Sequence, residues 1–484
     1  MNLIYLLFAA LFYVLSYSPF DYKILIFVSF LILLISIEKL SSKKKALYLF
    51  YYSFMIHFIG VSWVSQSLHD YGSLNYYESA FITLIFIILI SLPYVIIGFF
   101  HKPISANGLY STNLFASLFV VVEFIKSWML GGFPWLLVGH SQTETIFNFI
   151  YPILGSYAVT YFVILISAWI SKGYFNRTKY TVILVPIFTL IYYLMPNLTF
   201  VKSSDLNESL SFTIYQPNIY PKESYNSVEA NNIQQKYIKF LNRKASTDLI
   251  IFPETIVPYE LHKNNSLLKK IKDLTDEENI IITGLFTSED NKFFNSMVFF
   301  SKNIEIYNKR KLVPFGEYTP WYDTFFELAE SLDIPLSNLS HGRINQKNIY
   351  FKDIKIIPVI CFESTFSNLI NSDTDKELII NISNDSWFGN TLAPYQHLQI
   401  SQVRALEFNR FMLRATNTGI SAFINNKGEV LDYIPNNTEG VITGNIPVNN
   451  NISMYSRYGD IGILMLLFFS SLATGLIRLK KSHE

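Results

Sequence analysis

The chain has 484 residues, with 38 Lys and Arg against 37 Asp and Glu; half of its residues are hydrophobic and only 15% are charged. Soluble domains usually carry about 25% charged residues, so part of this chain is solvated by lipid. A net charge of +1 gives no electrostatic footprint for nucleic acid, and a single cysteine, Cys361, excludes an intrachain disulfide.

The N-terminus has neither a basic leader nor a small-x-small site after its apolar run, so it reads as an uncleaved first span. Apolar runs near the ~20 residues that a bilayer demands fall at 3–19, 24–37, 46–64, 80–100, 113–130, 155–170 and 181–195, and a last one at 461–477. They predict an α-helical membrane bundle of eight spans, seven within residues 1–200 and the last within 458–484. Lys39, Lys43, Lys44, Lys45, Lys102, Lys172, Arg177 and Lys179 fall in alternate loops, and Arg478, Lys480 and Lys481 in the tail, whereas 65–79 and 131–151 contain no Lys or Arg. The excess of positive charge marks the cytoplasmic side. Both termini are then cytoplasmic, and the segment 206–448 lies outside.

That segment is rich in Asn, Lys and Asp and alternates short apolar runs with helical patterns. Residues 249–252, 280–282, 356–360 and 378–382 read as buried strands, 228–244, 267–279 and 395–411 as helices, and 421–434 as a hairpin. Continuous apolar strands alternating with helices predict an α/β domain whose sheet is covered by helices on both faces. In span five, Glu123 and Lys126 stand one helical turn apart and are expected to pair structurally.

Several of the strands end on a residue that a core does not choose: Glu254, Cys361 and Asn384-Asp385, with Lys309 just after a shorter run at 304–307. Ligands gather at the carboxyl ends of strands in α/β folds, and a carboxylate, an ammonium and a thiol form a coherent set for nucleophilic catalysis. Each also has a bland reading: a solvated strand-end charge, a surface ion-pair partner, a small core filler. The eight histidines are scattered without metal-ligand spacing, and neither a phosphate loop nor a dinucleotide fingerprint is present, so no metal or cofactor is implied.

The words around these residues separate the readings. Phe252-Pro253-Glu254-Thr255, the stretch from Tyr307 to Tyr318, and Ile360-Cys361-Phe362-Glu363 resemble the three catalytic segments of the nitrilase superfamily of carbon-nitrogen hydrolases. The form Leu312-Val313-Pro314-Phe315-Gly316-Glu317 is similar to its membrane branch, the apolipoprotein N-acyltransferases. Stretches 381–389, Gln396-His397, 404–407 and 414–419, together with 132–136 and Ser141-Gln142, extend the resemblance over nearly the whole chain. It departs at Phe362 and His140, where the pattern has Tyr.

The resemblance implies an eight-span bundle plus an extracytoplasmic nitrilase-type α-β-β-α sandwich in a bacterial inner membrane. It implies Glu254 as general base, Cys361 as nucleophile and Lys309 as the stabilising charge, supported by Glu317, Glu363 and the backbone N–H of Phe362. The implied reaction is ping-pong: an acyl chain passes from a phospholipid to Cys361 as a thioester, then to the N-terminal amine of a diacylglyceryl-cysteine lipoprotein. No cofactor is implied. A membrane-tethered amidase acting on a small soluble substrate is the alternative enzyme, and a receptor or transporter is the non-enzymatic one. Trp321, Phe325 and Phe326 fall at helical spacing just after Glu317 and read either as core or as a lipid-touching lid.

Overall fold

The computed structural model describes residues 2–72, 74–175, 189, 192, 209–220, 227–243, 247–257, 266–319, 338–370, 372–374, 376–447 and 451–483. Among these, four helices are long and apolar enough to cross a membrane: Tyr76–Phe100, Gly108–Gly131, Ser156–Phe175 and Ile461–Lys480. A fifth such span is formed if Ser42–Val61 and Val64–Tyr71, bent by 48° at their junction, count as one. Leu3–Leu15 and Leu25–Ile37 are shorter apolar helices at the first two expected spans; the seventh lies almost wholly outside the described residues. Phe81, Phe99, Phe100, Leu464, Phe468 and Phe469 point outward and are exposed, which suits a surface solvated by lipid tails.

Between two of these spans, residues 132–137 run as irregular backbone and Val138–Gln142 as a 3-10 turn, and side chains meet their polar groups. Tyr13 and Tyr17 donate to the carbonyls of Leu136 (2.8 Å) and Leu137 (2.7 Å), and Lys126 donates to that of Trp135 (2.8 Å). Glu123 accepts from the Val138 N–H (2.7 Å) and from Thr160 Oγ1 (2.8 Å). Buried irregular backbone persists only when its polar groups are satisfied in this way. Glu123 and Lys126 attract one another by charge, as expected, but the hydrogen bonds of the carboxylate and the ammonium go to this loop and its neighbours.

The second half of the chain folds as two six-stranded sheets. The first has the order β12-β1-β2-β3-β4-β5, built from β1 (Ser209–Gln216), β2 (Leu249–Ile251), β3 (Ile280–Glu289), β4 (Lys292–Phe300), β5 (Ile304–Asn308) and β12 (Gly440–Pro447). The second has the order β11-β10-β9-β8-β7-β6, from β6 (Ile349–Phe351), β7 (Ile354–Ile360), β8 (Glu377–Ser383), β9 (Met412–Thr416), β10 (Ser421–Ile424) and β11 (Val430–Ile434). β1, β2 and β3 are parallel, as are β7, β8 and β9. Asp290 and Asn291, both at positive φ, close the β3–β4 hairpin, the conformation that a two-residue hairpin loop matching strand twist requires.

Period-two alternation divides each strand between two cores. Leu249, Ile251, Ile280, Ile282 and Met297 meet Ile356, Ile360, Ile380 and Leu413 between the sheets. On the outer face of the first sheet, Ile250, Ile281 and Val298 meet Tyr237 and Leu241 of the helix Ser227–Arg243, and Leu267 and Ile271 of the helix Ser266–Asp273. The outer face of the second sheet packs Ile357, Ile379 and Met412 against Ala405 and Phe408 of the helix Ala393–Phe408. Helices thus cover one face of each sheet and the partner sheet covers the other, the α-β-β-α sandwich that the resemblance implies and not the single sheet between helices that the strand pattern alone suggests. Burial on both faces looks the same in sequence whichever layer provides it.

The helix Ala393–Phe408 also faces the bundle. Gln396 accepts from Trp135 Nε1 (2.6 Å) and donates to the Gly60 carbonyl (3.2 Å). Arg404 lies 3.2 Å from His140 Nε2, and Glu407 accepts from the Ser156 N–H (2.8 Å). Expected from 395 to 411, this helix stops at Phe408 because Asn409 takes the left-handed conformation (φ 53°) that closes helices.

Candidate active site

Glu254 leaves the carboxyl end of β2 and turns back over β3, where Gly284 allows the passage: a Cβ there would stand 2.5 Å from the Glu254 Cα. Lys309 follows β5, and Cys361 follows β7 of the other sheet, so the three expected residues come from strand ends across the interface between sheets. Lys309 Nζ lies 3.2 Å from Glu254 Oε1 and 2.8 Å from Glu317 Oε1. Glu254 Oε2 accepts the backbone N–H of Asn384 (2.8 Å), and Glu317 Oε2 accepts that of Val313 (2.8 Å).

Asn295, in the middle of β4, joins this group. Its Nδ2 donates to Glu254 Oε1 (2.6 Å) and to Glu317 Oε1 (2.7 Å), and its carbonyl accepts the Lys309 N–H (2.8 Å). The sequence reading passed it over. The available signal was a lone amide amid the aromatic and apolar residues of Phe293–Phe300, at a position facing a buried layer.

Cys361 is buried at the start of a 3-10 turn with φ of 48°, a left-handed conformation that costs a non-glycine residue roughly 1–3 kcal/mol. Contacts on both sides hold it. Glu363 Oε2 accepts the Ile360 N–H (2.9 Å), while Glu363 Oε1 accepts the Arg310 N–H (2.6 Å) and the Tyr307 hydroxyl (3.0 Å). Glu363 therefore staples the cysteine turn to the segment that carries Lys309, and does not contact the ammonium through a hydrogen bond. On the far side, His397 Nε2 lies 3.2 Å from the Cys361 carbonyl and 2.9 Å from Ser364 Oγ. His397 Nδ1 lies 3.0 Å from Asp385 Oδ1 and 3.0 Å from Arg414, which donates to Asp385 Oδ2 (2.6 Å). Sequence had singled out Asp385 only as a strand-end polar residue, and His397 and Arg414 only within matched words. Phe362 is half-buried, its ring edge-on to Phe366 at 5.1 Å.

The electrostatics follow from dry surroundings. Burial and the Glu254 carboxylate push the Cys361 thiol up, against the pull of Lys309 and a hydrogen bond with Ser383, so the resting thiol is protonated. Burial works against the Lys309 charge, but Glu254 and Glu317 outweigh it and hold the ammonium firmly charged. Burial raises the Glu363 carboxyl despite its N–H donors. Burial would raise Asp385 too, yet Arg414 and His397 bring it below the usual carboxylate range. Burial and the Arg414 guanidinium lower His397 and keep its ring neutral. The expected lid residues Trp321, Phe325 and Phe326 lie outside the described residues.

A protonated thiol beside a carboxylate and a fixed ammonium is a set of groups suited to acyl transfer. Residues 9–169 match the apolipoprotein N-acyltransferase N-terminal domain, and residues 213–454 match the carbon-nitrogen hydrolase model. Apolipoprotein N-acyltransferase from Haemophilus ducreyi is 28% identical over 97% of this chain and 95% of its own length. The Haemophilus influenzae protein of that name is 29% identical over 95% and 92%, and the Photobacterium profundum one 26% over 92% and 89%. With a hydrolase match covering half of its length inside relatives aligned almost end to end, the chain belongs to the carbon-nitrogen hydrolase family, in its apolipoprotein N-acyltransferase branch.

Proposed function

We propose that this chain N-acylates lipoproteins by passing a phospholipid acyl chain through Cys361. The observation that carries the reading is the buried Glu254–Lys309–Glu317 cluster beside the Cys361 thiol, on a chain with several membrane-length apolar helices. Glu254 takes the Sγ proton as sulfur attacks the ester carbonyl. The resulting oxyanion is stabilised by the Lys309 ammonium and the Phe362 N–H. Collapse breaks the ester C–O bond, the proton passes from Glu254 to the departing lysophospholipid oxygen, and a thioester remains. The N-terminal amine of a diacylglyceryl-cysteine lipoprotein then attacks that thioester. Glu254 accepts the amine proton and returns it to sulfur, leaving an amide and the resting thiol. Keeping the thiol protonated until a substrate arrives protects it from oxidation and alkylation, since the thiolate is the reactive form.

Both substrates are anchored in lipid, which is why the site is built onto a bundle. We propose residues 1–200 and 458–484 as that bundle, with eight spans, and 206–448 as a catalytic domain outside a bacterial inner membrane, with both termini cytoplasmic. The lysines at 39–45, 102 and 172 support this orientation. Intact-mass analysis after incubation with phospholipid tests the chemistry. One acyl adduct on Cys361, discharged by an N-terminal diacylglyceryl-cysteine peptide, is expected. An adduct that forms but discharges only to water overturns the transferase in favour of a hydrolase.

A further inference from the structure

We propose that Asn295 is a positioning residue that keeps both carboxylates beside Lys309 ionised, and so keeps Glu254 available as a base near neutral pH. This rests on the reading of Glu254 as the base. The two hydrogens of one amide nitrogen reach Glu254 Oε1 at 2.6 Å and Glu317 Oε1 at 2.7 Å. The same two oxygens also accept from Lys309 Nζ, at 3.2 and 2.8 Å. The carboxylates are therefore bridged twice, once by an ammonium and once by a neutral amide. Both partners of the amide are acceptors, which settles its orientation with Nδ2 toward them. Among the described residues Asn295 Oδ1 is buried without a hydrogen-bond partner, so the residue is placed for its two donors and not for its own satisfaction.

The need arises from the charge count. One ammonium faces two carboxylates, with the Cys361 thiol, Asp385 and Glu363 as the other titratable groups acting on this cluster. Two carboxylates in a dry site relieve their repulsion most simply by sharing a proton, which raises the pKa of one of them. A proton held between the Oε1 atoms would leave Glu254 unable to accept another from sulfur or amine. Asn295 offers each oxygen a hydrogen while adding no charge. A second cation there would oppose that protonation too, but it would quench the basicity of Glu254; an aspartate would add a third anion.

Alkylation of Cys361 by iodoacetamide in the purified full-length protein, followed from pH 5 to 9, provides the test. In Asn295→Leu the acidic limb of the rate profile should move up by at least about one pH unit, close to a tenfold loss of rate on that limb. The rate should return to within a few-fold of wild type at high pH. Asn295→Asp, nearly isosteric and able to report if the leucine variant fails to fold, should move the limb further. An unmoved limb, or a loss equal at every pH as a packing defect would give, overturns the proposal. Glu254→Gln separates the two levels. If it abolishes the limb while the Asn295 variants leave it in place, only the role of Asn295 fails. If Glu254→Gln reproduces the wild-type profile, the base assignment fails and this inference with it.

Discussion

Glu123 and Lys126 in the bundle and Glu254 and Lys309 between the sheets are all buried, at 5% exposure or less, and they put the same two functional groups to different uses. In the bundle, both carboxylate oxygens take a backbone N–H and a threonine hydroxyl, and the ammonium takes the Trp135 carbonyl and lies 3.5 Å from His57. Those charges are committed to a stretch of irregular backbone. Between the sheets, the carboxylates and ammonium bind one another, and burial together with their charges acts on a neighbouring thiol. Burial of a charged pair is thus no sign of catalysis by itself. What distinguishes a site is that the charges face a group able to react.

The largest expected effect falls on the proposed nucleophile. Cys361→Ser should form no detectable acyl-enzyme by intact mass, because a hydroxyl is far harder to ionise than a thiol already pushed up by burial. Lys309→Met should slow acyl-enzyme formation about 10²- to 10³-fold, roughly 2.7–4 kcal/mol of barrier, as removal of an oxyanion donor does. Activity of the serine variant near wild type would end the nucleophile assignment.

Glu123→Gln sharpens the contrast from the other side. An amide can keep one of the two hydrogen bonds, so the expected cost is that of about one bond in a membrane bundle, on the order of 0.6–1.7 kcal/mol. Thermal unfolding in detergent should register this while alkylation of Cys361 by iodoacetamide continues at the wild-type rate. If Glu123→Gln slows alkylation as much as Glu254→Gln does, the two pairs do not differ in kind.

The smallest effect concerns His397. Its native pKa is lowered, so as pH falls below about 6.5 the unfolded chain takes up a proton that the native state refuses. Stability contributed at neutral pH is then lost on acidification. Equilibrium unfolding between pH 7 and 5 should therefore show a decline that His397→Gln reduces. An equal decline in both proteins would mean that this ring does not titrate against folding.

Much of this was legible because some forces act along the chain. The runs at 249–252 and 356–360 announced strands since both faces of each are covered, and the words around Glu254, Lys309 and Cys361 carried the family resemblance. β4 was not read as a strand, and with it Asn295 was missed, because a single amide in an apolar run is equally compatible with a satisfied core residue. The grouping of Asp385, His397 and Arg414 behind Cys361 depends on three separate elements meeting, which local pattern does not report. Nor did pattern separate one helix-covered sheet from two sheets face to face, as either buries both sides of a strand.

The sequence by itself determined where the long apolar runs lie and which residue types stand at strand ends, since hydrophobic transfer is summed over local runs. Only the tertiary structure decided which charges interact, because Coulomb energy depends on distance in space and local dielectric. Glu254 and Lys309, separated by 55 positions, stand 3.2 Å apart. Glu123 and Lys126, one helical turn apart, feel each other's charge but make their hydrogen bonds elsewhere, because the buried backbone groups of Trp135 and Val138 need partners.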